Sequence, residues 1–185
     1  MSTLELKELS HPAGEVIKIA AGKTLDLHAQ GTTKMPAGSV IQVLTTRLTS
    51  SLVTSSTSFV DVQAGSGGSI TITPKYANSL IYVMFKSHVY LSSGDAGWKS
   101  ANFRMLRDST ILAGSETTGN YGNAIHTTAT NTHMMTNYIR DYADLPNTTS
   151  AIVYKPQVMT ISSREIQVNT TYAGQGSMTI MEIAQ

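Results

Sequence analysis

The sequence predicts an all-β protein, a two-sheet, jelly-roll-like sandwich of about eight to ten strands over residues 39–185. An extended arm over residues 1–38 precedes it. Three observations predict this. The closing third of the chain alternates apolar and polar residues through Asp141–Val158, Glu165–Gly174 and Ser177–Gln185, and alternation puts every second side chain on a buried face. The run Leu80–Leu91 is apolar on both faces for part of its length, the pattern of a central strand. Thr, Val, Ile and Tyr fill these segments, and such side chains suit a pleated, half-buried surface.

Along the arm, Leu4–Lys7, Glu15–Ile19 and Thr24–Leu27 are short alternating pieces broken by His11-Pro12-Ala13-Gly14, Ala21-Gly22-Lys23 and Met35-Pro36-Ala37-Gly38. Strands this short cannot stand alone. They need a partner in the main domain, in a neighbouring copy or on another surface, and Val16, Ile19, Leu25 and Leu27 are the apolar side chains available for that contact.

From Ser39 the strand signal is dense. Ser39–Leu44 and Ser58–Gln63 read as strands, joined by an extended Ser/Thr-rich stretch, Thr45–Thr57. Ala64–Gly68 is a turn leading into Ser69–Thr73, which Pro74 ends because proline cannot donate to a ladder. Asn102–Arg107 and Thr110–Ala113 read as a hairpin turning at Asp108-Ser109. Gly114–Asn131 is the longest weakly patterned piece and reads as a loop. His133–Tyr142 suits a helical stripe about as well as alternation, and its β surroundings favour a strand. No fixed-period repeat appears, against a solenoid or propeller.

Charged residues are 14% of the chain, against about 25% in an average globular protein. Hydroxyls and amides replace them, so copies associate against little electrostatic repulsion. The 13 basic and 12 acidic residues give a net charge of +1, with no basic run to neutralise a phosphate backbone, so nucleic acid is not an expected partner. There is no cysteine, leaving stability to core burial and association. Met1–Glu5 lacks the basic start and apolar core of a signal peptide, so synthesis in a cytoplasm without N-terminal export is expected. Leu80–Phe85 is too short to span a bilayer, so membrane insertion is not expected.

Residues that carry chemistry are sparse. His11, His28, His88, His126 and His133 have no zinc-site spacing, and no metal or cofactor is expected. His126 and His133 share a region and could meet. No nucleophile elbow singles out a serine, and Gly65–Gly68 lacks the lysine and helix of a phosphate loop. Glycan cleavage needs two carboxylates flanking a bond, whereas Asp95, Asp108, Glu116, Asp141 and Asp144 read mainly as turn residues. No catalytic residue is assigned. Trp98 and Tyr121 are the aromatic side chains of the loops, placed to stack on a sugar face or to cap the core edge.

Several segments, in order along the chain, resemble fibre-type virion proteins of marine and cyanobacterial tailed bacteriophages. Met1-Ser2-Thr3-Leu4 with Ile19–Leu27 resembles their N-terminal arm, and Met35–Val43 resembles the approach to their globular domain. Ser69–Lys75 with Ser79–Val83 is similar to their next strand pair, and Arg107–Thr110 to their hairpin turn. Asp144–Lys155 and Ser177–Ala184 resemble their closing strands. Leu80 stands where such proteins commonly carry a lysine, which implies a covered surface there. The resemblance implies a non-enzymatic structural protein of the virion, tail-fibre or fibre-knob in type. It also implies a homotrimer joined to other virion proteins by its arm and adhesive toward a host-surface glycan. A capsid decoration protein that stabilises the shell is the alternative, and a virion-associated glycan-degrading enzyme is a further one.

Overall fold

Strands, with no helix, make up the regular structure of the described residues. The structure is a computed structural model, and it describes residues 21–22, 35–63, 68–92, 99–112, 124–127, 133–161, 164–169 and 176–185. In chain order the strands are β1 (Val40–Arg47), β2 (Leu52–Thr54), β3 (Val60–Asp61), β4 (Ile70–Ile72), β5 (Leu80–Leu91) and β6 (Lys99–Arg107). They continue as β7 (Thr110–Ile111), β8 (Ala124–Thr127), β9 (Met134–Asp144), β10 (Ile152–Met159), β11 (Ile166–Val168) and β12 (Ser177–Ile183). All lie in the unit Met35–Gln185.

The strands form two six-stranded antiparallel sheets. In the first, β9 runs along one whole edge of β5, from Ile81↔Asp144 to Leu91↔Met134. The other edge is therefore shared end to end by β12, opposite Leu80–Lys86, and β11, opposite Val89–Leu91. Beyond them β1 pairs β12 and β2 pairs β11. In the second sheet β10 pairs β6 on one edge and shares its other edge between β4 and β3. The outer edge of β6 is shared by β7 and β8.

Twelve strands thus occupy eight columns, since β1/β2, β3/β4, β7/β8 and β11/β12 each share one. This reconciles the expected eight to ten strands with the twelve observed. Numbered in chain order, the columns run 1-8-3-6 in the first sheet and 2-7-4-5 in the second.

The inner faces share one core. Ile81, Val83, Phe85, Val89 and Leu91 of β5, with Ile180 of β12, meet Phe103 and Met105 of β6 and Tyr154 and Val158 of β10. Phe103 stacks on Tyr138 of β9 with ring centroids 4.0 Å apart, and Phe85 lies 6.1 Å from both. Rings contributed by both sheets fix their separation, and offset aromatic packing adds to the burial of apolar area.

Two column breaks have local causes. Pro156 sits mid-strand in β10, and its carbonyl accepts from Val62 N at 3.1 Å, on the edge shared by β3 and β4. Backbone N and C=O of one residue point to the same edge of an antiparallel strand. The missing N–H of Pro156 therefore faces the gap between Asp61 and Ile70, where no ladder bond is required.

The second break falls between β11 and β12, at the same level as the break between β1 and β2. Asn169, at φ 58°, stitches it. Its backbone N donates to His88 O at 2.8 Å, and its Nδ2 donates to Leu48 O and Ser50 O at 3.1 and 2.9 Å. Its Oδ1 accepts Gly176 N at 2.6 Å. A side chain at Gly176 would place Cβ 2.8 Å from Lys86 O and 2.7 Å from Leu48 Cδ1, so only glycine fits without displacement.

Some sequence readings change. Thr45–Arg47 extends β1, and the ladder within Ser58–Gln63 is only Val60–Asp61. Ala124–Thr127, read as part of a loop, pairs with Lys99–Asn102 because β6 offers an open edge there. Asp108 is a turn residue, at φ 52° with Oδ1 accepting Val153 N at 2.9 Å. Asp141 and Asp144 are strand residues of β9, whose ladder runs two residues past Tyr142.

Candidate interaction surface

The outward-facing side chains of the two sheets differ in kind. On the second sheet a paired polar cluster stands beside Leu106, Ile111 and Val153. Asp61 accepts from Lys155 Nζ at 2.9 Å and from Gln157 Nε2 at 2.6 Å. Arg104 Nε donates to Gln157 Oε1 at 2.7 Å, and its guanidinium lies 4.1 Å from the centre of the Phe59 ring. Partial burial opposes ionisation of Asp61, but the hydrogen bonds from Gln157 and Lys155 outweigh it and hold the carboxyl below its usual range.

The outer face of the first sheet is apolar over half its length. Inner residues of β5 are the odd-numbered ones, so Leu80, Tyr82, Met84, Lys86, His88 and Tyr90 point outward. Register carries each row across the sheet. Val40, Ile183 and Leu80 form one row, Val43, Met181, Tyr82 and Ala143 the next, then Thr45, Thr179, Met84 and Asp141. The row of Arg47, Ser177, Lys86 and Ile139 begins the polar half, continued by His88 beside Asn137, and by Val53, Gln167, Tyr90 and Met135.

Val40 and Val43, in the apolar half, are 48% and 54% exposed, whereas Val53, Met135 and Ile139 stand singly among the polar residues of the other half. A contiguous apolar patch on a sheet face marks a contact surface. Its one acid, Asp141, accepts the Tyr82 hydroxyl at 2.9 Å, which raises the phenol above its ordinary value.

In the polar half, a cavity of about 210 Å³ opens beside Gly176, lined by Lys86, Ser87, His88, Asn137, Tyr138 and Ile139. Beyond it along β5, Tyr90 stacks on His133 with centroids 5.2 Å apart, and the Tyr90 hydroxyl bonds to His133 Nδ1.

Trp98 and Tyr121, expected in recognition, and Val16, Ile19, Leu25 and Leu27, expected in arm contacts, lie outside the described residues. So do Asp95 and Glu116, together with the side chain of His126, the proposed neighbour of His133. Asp144 takes a bridging role. Its carboxylate accepts Arg107 at 2.8 and 2.9 Å and the Tyr154 hydroxyl at 2.6 Å, tying β9 of the first sheet to β6 and β10 of the second. Among the described residues, no His, Asp and Glu group could hold a metal ion, and no helix is long and apolar enough to cross a membrane.

The surface itself was missed at the level of sequence, although its signal is there. Ser177–Ile183 carries apolar residues at both parities, Met178 and Ile180 inward and Met181 and Ile183 outward. The chain matches no protein-family model and no curated protein.

Proposed function

We propose that this chain is a structural subunit of a bacteriophage virion, a fibre- or knob-type protein. In this reading it assembles as a homotrimer through the apolar half of the outer face of its first sheet, and residues 1–38 attach it to other virion proteins. The observation that carries the reading is the asymmetry of the two sheets. One outer face carries an internally paired polar cluster of Asp61, Arg104, Lys155 and Gln157, while the other exposes Val40, Val43, Tyr82, Met84 and Met181 in adjoining rows. A subunit that assembles needs one such face, and a cyclic assembly uses the same face on every copy.

Two further features support it. The two antiparallel sheets, with column orders 1-8-3-6 and 2-7-4-5, support a jelly-roll reading, an architecture common in viral coats and lectins. Leu80, where the resembling proteins commonly carry lysine, lies in the apolar row with Val40 and Ile183.

The test is to delete residues 1–38 and follow incorporation into particles by mass spectrometry of purified virions, with the full chain located by electron microscopy. The reading expects a folded truncated protein that is absent from virions, and full-length density on a fibre. Normal incorporation of the truncated protein would remove the arm's role. Density lying flat on the capsid shell would replace the fibre reading with shell decoration.

A further inference from the structure

We infer that the cavity on the polar half of the first sheet is a binding site for one carboxylate-bearing sugar unit. This names a ligand class for the adhesive role that the resemblance to fibre-type virion proteins implies. The source of the sugar rests on that reading, whereas the binding chemistry rests on the site alone.

The cavity lies where column 8 is broken. Asn169 and Gly176 close the backbone around the break, and the cavity lies beside Gly176 with Lys86 and His88 in its lining. Its volume of about 210 Å³ is below the roughly 300 Å³ at which drug-sized ligands begin to fit. A single ring or a small ion matches that size, and a long oligosaccharide does not.

Charge selects an anion. Lys86 lines the cavity, and Arg47 stands in the same outward row, separated from it by Ser177. Columns about 4.8 Å apart place the two backbones roughly 10 Å from each other, within joint reach of their long side chains. Among the described residues neither cation pairs with a carboxylate, and Asp141, in the next row, is engaged by Tyr82. A ligand carboxylate would gain charge-assisted hydrogen bonds here.

The remaining lining selects a sugar over a bare ion. The Asn137 amide both donates and accepts, and the His88 ring nitrogens stand beside it, matching paired ring hydroxyls. Ile139, 65% exposed, offers an apolar wall for the ring's C–H face.

The experiment is a backbone-amide NMR titration of the full chain with three probes: glucuronate, glucose and acetate. Glucuronate carries ring and charge together, and each of the others carries one. The expected result is saturable shifts at Lys86, His88 and Asn137 with glucuronate, at least tenfold tighter than with glucose or acetate. Lys86→Gln should weaken glucuronate at least tenfold with the melting temperature unchanged, and Arg47→Gln should act in the same direction if the Lys86 variant does not fold. No saturable shifts with glucuronate, or an equal response to acetate, would overturn the inference. The isolated protein is used, so failure here leaves virion assembly untouched, and failure of virion incorporation leaves this binding untouched.

Discussion

Glu182 accepts a hydrogen bond from the hydroxyl of Ser79 at 2.7 Å, with both residues fully buried. The same oxygen accepts the backbone amides of Lys75 and Tyr76 at 2.7 and 3.2 Å, and the other accepts Gln42 Nε2 at 2.5 Å. Glu182 points inward from β12, so a carboxylate closes one end of the core and pins the 74–79 loop. Removing it strands three donors on one oxygen, each costing about 1–3 kcal/mol when buried. Glu182→Ala should therefore lower unfolding free energy by roughly 3 kcal/mol or more. Glu182→Gln keeps that oxygen but sets an amide against Gln42 Nε2, which also donates to Thr73 O, and should cost less, about 1–3 kcal/mol. Urea titration of both variants checks the order.

Tyr154 and Asp144 predict an alkaline effect. Burial, followed by the bond to Asp144, raises the Tyr154 phenol above its ordinary value of 10.0. Above pH 10 the unfolded chain releases this proton while the folded chain retains it. The contribution is complete below pH 10 and declines as pH rises, by up to roughly 1.4 kcal/mol per pH unit. Tyr154→Phe should lose about 1–2 kcal/mol at neutral pH and show a shallower alkaline decline. Thermal melts from pH 8 to pH 11 measure both.

Gly176→Ala tests the stitched break. The added carbon meets the backbone oxygen of Lys86 at 2.8 Å, which cannot move without opening the ladder between β5 and β12. The expected cost is about 1–3 kcal/mol, seen as a lower denaturation midpoint at unchanged slope.

Much of the fold was legible in the sequence, for reasons visible in particular strands. Leu80–Leu91 has the expected bounds because its twelve residues keep inner and outer parity throughout. The turn at Asp108-Ser109 was legible because Asp tolerates positive φ and bonds nearby backbone. What escaped depends on partners distant in sequence. Ala124–Thr127 is a strand because β6 lies open beside it, and the columns break where Pro156 and Asn169 meet residues about 80 to 120 positions away. The cavity is still less legible, since Lys86, Asn137 and Gly176 converge only once β5, β9 and β12 are in register.

Copies of this chain are proposed to associate through the apolar half of the outer face of the first sheet. Sedimentation equilibrium of the full chain at micromolar concentration, beside Val43→Lys combined with Met181→Lys, tests it most directly. The two positions are cross-strand neighbours on that face, and paired charges there oppose burial. Three times the chain mass is expected for the native protein, and a folded monomer for the double variant. A monomeric native protein, or a double variant that stays trimeric, would contradict it.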